Sequence, residues 1–354
     1  MPRCPLDLTV GTMAAMLNAE LVDHPVYDGF ELQWFDDDEH GTGLLAFLSR
    51  RADRVFDYYR SPGLRVDPEA YRIGGGTGVW TETAFEVARL DVHPDGVDAE
   101  VRFADVDGRT IEVVIDDRDG RPRRQAGFLA PVSSAIADPA FLMIAWMPGF
   151  DLVHVGAREP VVRIDGADAA TGRLPGRRLH RRHLVKVAAP VVTVHVGREH
   201  DGPLADVAQA GGEWTADGLA ALTAAEGGAT ARLTFTPPLP DAEALADGSA
   251  LADGARRTGT WAVEVCGAPI TGGTWHAGRT GDVVGLGLDV TQRWRPRGLP
   301  LLMRVVTRAA PVFRRWPTTY RWRATLTVGD EPRLTSAWTR TEDGGADAYR
   351  RATS

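Results

Sequence analysis

From Thr319 the chain reads Thr-Tyr-Arg-Trp-Arg-Ala-Thr-Leu-Thr-Val. Tyr320, Trp322, Ala324, Leu326 and Val328 fall on one side of an extended backbone, and Thr319, Arg321, Arg323, Thr325 and Thr327 on the other. A period of two marks a strand with one face buried and one face wet, because successive side chains of extended backbone point to opposite sides. The same alternation runs through residues 97–103, 110–115 and 283–290. A chain dominated by such strands hides its apolar rows inside sandwiches or barrels.

At 354 residues the chain exceeds the size at which a single core keeps growing, so two domains are expected. Residues 197–212, rich in Gly, Asp, Pro and Ala, read as the linker between a first domain over 1–200 and a second over 201–354. Met13, Met16, Leu17 and Leu21 have helical spacing and predict a short N-terminal helix over 12–22. Strand-like runs follow at 30–35, 43–49 and 54–59, split by polar turns. Two hairpins are marked by Asp95-Gly96 and Asp107-Gly108, since Asp-Gly supplies the positive φ that tight turns require. Phe141, Leu142, Ile144, Ala145 and Met147 predict a second short helix, and residues 237–254 a low-complexity loop. Strands are expected again at 160–164, 185–196, 229–236, 258–266, 272–276, 318–328 and 333–339. Both halves therefore read as antiparallel sheets.

A net charge of -8 argues against general nucleic-acid binding, which needs a basic footprint. Cys4 and Cys266 are the only cysteines, too few for a CxxC-type zinc site, and a structural disulfide is not expected with Cys4 in a loose N-terminus. The opening Met-Pro-Arg-Cys-Pro-Leu-Asp-Leu lacks a basic region followed by an apolar run, and no stretch approaches the ~20 apolar residues of a membrane span. These features predict a cytoplasmic protein.

Gly74-Gly75-Gly76-Thr77-Gly78 is followed by strand formers rather than a helix, so it predicts a turn and not a phosphate-cradling loop. Asp116-Asp117-Arg118-Asp119-Gly120 lacks EF-hand spacing. Ser133-Ser134 has no Gly-x-Ser-x-Gly frame, and Rossmann and Walker motifs are absent. No cofactor and no metal is expected.

Glu31-Leu32-Gln33-Trp34-Phe35, followed by an acidic turn and Gly41-Thr42-Gly43, resembles the Glu-Trp-Trp-Tyr-Phe opening of the carotenoid hydratase and AttH-like superfamily, which also includes decalin-forming Diels–Alderases. The resemblance implies an all-β fold of two antiparallel lipocalin-like β-barrels in tandem with a few short helices, and a ligand cavity near their junction. It also implies that Glu31 and Trp34 face that cavity. The His-Asp-His-Asn-Trp-Gly-like run of the hydratases has no counterpart in this chain.

Lys186 is the single lysine in a chain whose other cations are arginines. Inside an apolar barrel its amine would lose charge and act as a base; outside, it is an ordinary cation. Glu31, Glu82, Glu264 and His276 are polar residues set among strand apolars, where each is a candidate acid or base or a hydrogen-bonded structural group. We single out Glu31, His276 and Lys186 as catalytic candidates, and Trp34, Trp80, Trp146 and Trp275 as walls for a hydrophobic substrate. Between Thr291 and Gly329 there are nine arginines and no acid. Leu302, Val305, Val306, Ala309, Phe313 and Trp316 form an apolar stripe there, with Arg304 and Arg308 on another side. This Arg-rich amphipathic helix either caps one barrel end, receives an anionic substrate group, or meets an anionic membrane peripherally. A second basic cluster at 173–186 includes His180 and His183, which with His195 or His200 offer a metal or an anion site, or a solvated loop.

Two functional classes fit. One is a cofactor-independent isomerase, cyclase or hydratase (lyase type) acting on a hydrophobic polyketide- or terpenoid-like molecule of secondary metabolism. The other is a non-catalytic carrier of lipid or pigment with a membrane-docking basic segment. A third possibility is an interaction module whose barrel interiors are filled.

Overall fold

The computed structural model describes residues 2–69, 71, 73, 78–132, 139–154, 158–172, 184–197, 199–207, 211–310, 313 and 315–340. The glycine run at 74–77, the serines at 133–134 and the basic cluster at 173–183 lie outside the described residues.

Three sheets build the molecule. The first contains β1 (Leu8–Met13), β2 (Ala15–Glu20), β3 (Tyr27–Asp37), β4 (Gly41–Arg50), β5 (Phe56–Arg60), β6 (Trp80–Glu82), β10 (Ala126–Ala130), β11 (Leu142–Leu152), β14 (Val185–Ala188) and β15 (Val191–Val196). Its order is β1-β15-β11-β14-β2-β3-β4-β5-β6, with β10 also on β11. The second comprises β7 (Val87–His93), β8 (Gly96–Ala104), β9 (Thr110–Asp116), β12 (Val161–Ile164) and β13 (Ala167–Asp168), in the order β13-β12-β9-β8-β7. The third holds β16 (His200–Pro203), β17 (Gly212–Thr215), β18 (Gly218–Glu226), β19 (Ala229–Leu239), β20 (Arg256–Val265), β21 (Ala268–Thr280), β22 (Val283–Gln292), β23 (Tyr320–Thr327) and β24 (Arg333–Arg340). It runs β16-β24-β23-β22-β21-β20-β19-β18-β17. Helices α1 (Ala242–Ala246) and α2 (Leu301–Ala309) accompany the strands.

The strands form where alternation predicts them. On β23 buried and exposed residues alternate strictly from Tyr320 to Thr327. The expected hairpins are β7–β8, with His93 opposite Gly96, and β8–β9. Both expected helices in the first half are strands instead. On β2, Ala15, Leu17 and Ala19 pack on the second sheet while Met16 packs on the opposite side, so apolar residues on both faces mimic helical spacing. β11 is misread for the same reason: Leu142, Ile144 and Trp146 face one core, and Met143, Met147 and Phe150 another. The expected linker contains β16, which pairs with β24, and the low-complexity loop contains α1.

The chain is mostly β, as expected, and no pairing among the described strands closes a sheet into a barrel. One face of the first sheet, with Leu17, Phe30, Leu32, Leu44, Ala46 and Val187, packs on Val97, Val101, Phe103, Ile111 and Val113 of the second. Its other face, with Met16, Leu45, Phe47, Tyr58, Phe128 and Phe150, is covered by Leu299 and by Met303 of α2. Strands β1, β15 and β11 extend sideways, so Val10, Val194 and Ile144 join the core of the third sheet. The segment at Arg3 and Cys4, expected to be loose, is pinned. The Arg3 backbone N–H donates to Asp241 at 2.8 Å, its Nε donates to Glu243 at 2.7 Å, and Cys4 is buried.

A buried charge cluster fixes one end of strands β8 and β9 in the second sheet. Arg123 Nη1 lies 2.6 Å from Asp117 and 3.7 Å from Asp151, with side-chain exposures of 7%, 1% and 9%. Asp117 also accepts the Val97 N–H at 2.6 Å. Truncating Arg123 strands two buried carboxylates, so Arg123→Ala is expected to lose about 3–5 kcal/mol in urea unfolding. A loss below about 1 kcal/mol would show the cluster to be energetically idle.

Candidate functional site

Glu31 sits in the middle of the first sheet, on the face opposite the second sheet. Cross-strand register places Leu152, Lys186, Asn18, Glu31, Phe47, Tyr58 and Trp80 in one row across six ladders. Directly paired residues share a face, so a polar trio lies between aliphatic and aromatic ends. Gln33, two residues along β3, shares that face and is fully buried.

The polar groups form one connected chain. Lys186 Nζ donates to Asn18 Oδ1 at 3.0 Å, and Asn18 Nδ2 donates to Glu31 Oε2 at 3.1 Å. Gln33 Nε2 donates to Glu31 Oε1 at 2.5 Å, and the Tyr71 hydroxyl donates to Gln33 Oε1 at 2.5 Å. The two amides are thus oriented by their outer partners to present N–H groups to the carboxylate. Burial pushes the Glu31 carboxyl up to about 7, and the bonds from Gln33 and Asn18 and the charge of Lys186 oppose that rise. Tyr71 is pushed well above the usual phenol range by burial and by the Glu31 charge. An aromatic wall flanks this chain. Tyr58 and Trp80 stack with centroids 4.2 Å apart, and Tyr71 meets Trp80 edge-on at 5.5 Å. The Trp80 Nε1–H is buried and has no hydrogen-bond partner among the described residues.

Of the expected site residues, Glu31, Lys186 and Trp80 come together and the others do not. Trp34 is three residues from Glu31, an odd separation, so it faces the second sheet instead. Trp275 is fully buried in the third sheet's core, and Trp146 packs in that core with its ring edge-on to Trp294 at 6.2 Å. His276 lies on β21 between inward-facing Trp275 and Ala277, with its half-exposed ring 3.8 Å from Asp289. Burial and Arg323 hold its pKa below the usual value. It belongs to a different sheet from Glu31 and adds nothing to that chain. His195 stacks on Phe141 at 4.0 Å, and its partner on β11, Met143, is nine residues from the Lys186 partner Leu152, roughly 30 Å along the strand. Arg304 and Arg308 are exposed on α2; Val305 and Ala309 of the expected stripe are exposed with them, while Met303 and Thr307 are buried.

Sequence reasoning missed Asn18, Gln33 and Tyr71. Gln33 was accessible in principle, since alternation puts it on the Glu31 face. Asn18 was hidden by the helical reading of its segment. Tyr71 arrives from a loop that carries no periodic signal.

One group among the described residues has metal-ligand spacing: Glu39, His40 and Glu226, with ligand atoms within 4.8 Å of one another. Burial, then the neighbouring Glu39, push Glu226 up to about 7, so a proton held between the carboxyls suffices to relieve their repulsion. His40 Nδ1 is 3.0 Å from both oxygens of Asp37. The Cys4 thiol is pushed up to about 12 by burial, which leaves it inert as a nucleophile.

The raised Glu31 value has a thermodynamic consequence. A carboxyl ordinarily near 4.5 and held near 7 in the fold binds its proton more tightly when native. Its contribution to stability is complete below pH 4.5 and is lost as pH rises through 7, by roughly 3 kcal/mol in total. Glu226 acts in the same direction, so the difference between wild type and Glu31→Gln isolates Glu31. Urea unfolding at several pH values should show wild type losing that amount relative to the variant; parallel pH profiles would contradict the assignment.

No family model matches the chain, and no curated protein or solved structure matches it, so the reading of the site rests on its own geometry.

Proposed function

We propose that this protein is a cofactor-independent acid–base catalyst, of isomerase, cyclase or hydratase type, acting on a hydrophobic small molecule. One observation carries the reading: a buried carboxyl, bonded by two oriented amides and held near 7 by its burial, lies beside the aromatic wall of Phe47, Tyr58 and Trp80. A group titrating near neutrality gives and takes a proton with equal ease. Glu31 is the proton carrier. Lys186, acting through Asn18, and Tyr71, acting through Gln33, are positioning residues that hold the two amides in their donating orientation. Phe47, Tyr58 and Trp80 would receive the apolar body of the substrate, and the buried Trp80 N–H has room in its bonding for a substrate oxygen. A lipocalin-like relationship belongs to this proposal: it is supported by the predominance of antiparallel strands around apolar cores in both halves of the chain, with β5–β6 as a parallel pair.

The test uses a β,γ-unsaturated cyclic ketone as probe in D2O. Glu31→Gln should lower double-bond migration and deuterium uptake by about 10²–10⁴-fold. Unchanged turnover in that variant would remove Glu31 from the chemistry.

The carrier reading is favoured by a separate feature. Leu301 and Val305 are 70% and 56% exposed on the outer face of α2, interleaved with exposed Arg304 and Arg308. That combination suits an anionic lipid surface. Binding to phosphatidylglycerol-containing vesicles should weaken with salt and fall about fivefold per arginine removed at 304 and 308. Salt-insensitive binding, or none, would leave α2 as a cover for the Glu31 face alone.

A further inference from the structure

The third sheet carries three tryptophans on one rung. Register aligns Gly259, Trp275, Leu288, Trp322 and Trp338 across β20 to β24. Their rings are the largest contributors to that core, with exposures of 0%, 0% and 1% for Trp275, Trp322 and Trp338. Among the described residues none of the three indole N–H groups has a hydrogen-bond partner, and neither has that of Trp261 in the same core. A buried indole ordinarily finds an acceptor, and a donor left without one carries the full cost of its desolvation. Several such donors in one core call for an acceptor.

Two of these donors converge. The Trp338 and Trp322 Nε1 atoms lie 3.2 Å and 3.8 Å from the point where a Cβ on Gly197 would stand. The same point is 2.8 Å from Leu6, and Gly197 has φ +63°, so glycine alone fits both the backbone and the space. Leu6 is also a wall of a cleft of about 350 Å3, lined further by Leu222 of β18, Leu334 of β24, Val207 and His200. β18 and β24 are near opposite ends of the sheet, so this cleft is the seam where the curled meander fails to close, and residues 4–8 lie along it. Leu6, Leu222 and Leu334 belong to the same apolar core as the tryptophans. Asp7, Glu199 and Asp206 line the cleft as well and disfavour an anion.

We infer that this seam is a binding site for a neutral apolar molecule bearing a carbonyl oxygen, which enters beside Leu6 and accepts from the Trp322 and Trp338 N–H groups. The site is separate from the Glu31 row and does not depend on its chemistry. Trp322 and Trp338 lie behind Leu6 rather than in the cleft lining, so the guest reaches their N–H groups by displacing the Leu6 side chain, and the acidic lining rejects fatty acids and other carboxylates.

Benzophenone and diphenylmethane share a shape but only the first has an acceptor, so the pair tests the site on the full chain. Tryptophan fluorescence should report saturable benzophenone binding about tenfold tighter than diphenylmethane. Dodecanoate should bind more weakly than benzophenone. Trp322→Phe and Trp338→Phe should each reduce the ketone preference while leaving diphenylmethane binding in place. Because those variants alter a core, wild-type NMR supplies the second readout: two indole N–H resonances should move downfield with benzophenone. Equal affinity for the two probes, absence of saturable binding, unmoved indole signals, an unreduced preference in both folded variants, or dodecanoate binding as tight as the ketone's would overturn the inference. So would cross-relaxation in the free protein from a long-lived water to both indole protons, since that water would already satisfy them.

Discussion

The first sheet is covered on both faces, and that burial governs everything placed on it. A sheet with one wet face can carry polar side chains at no cost; a sheet covered on both must satisfy each of them internally. Asn18, Glu31, Gln33 and Lys186 are the answer to that demand on β2, β3 and β14. Their chain of bonds supplies the carboxylate with two amide donors and a cation nearby, yet burial outweighs these partners and holds the proton near neutrality. The same apolar cover that completes the fold sets the acidity of the site.

The three sheets divide their tasks. The second covers one face of the first, and the apolar segment around α2, entering from the second half of the chain, covers the other. The third sheet encloses its own core and borrows β1, β11 and β15 to complete it. It remains open at a seam lined by residues 4–8, whose Arg3 neighbour is tied to Asp241 and Glu243 beside α1. The fold thus offers two interiors of different chemistry: one with a titratable carboxyl, and one with indole donors.

Strand identity was legible in the sequence wherever one face is buried and one exposed, as on β8, β9 and β23. It was lost on β2 and β11, where apolar residues on both faces erase the period of two. Polar residues within strands were legible as candidates, but parity decides only which residues of one strand share a face. It separates Trp34 from Glu31 and joins Gln33 to Glu31, whereas pairing partners such as Lys186 and Asn18, separated by most of the first half of the chain, depend on sheet order that no local pattern encodes. His276 and Trp275 were legible as a polar and an apolar residue on a strand; their membership of a different sheet was not. Sheet closure was equally hidden, because the alternation of an open, curled sheet and that of a barrel are identical.

The account turns on the ionisation of one side chain, and carbon-13 NMR of selectively labelled glutamate reads it directly. The side-chain carboxyl signal absent from Glu31→Gln should titrate in wild type with a midpoint near 7, well above the ordinary value of 4.5. A midpoint at or below 4.5 would mean that the amide and lysine partners outweigh burial, and would leave the sheet with a permanent carboxylate in place of a proton carrier.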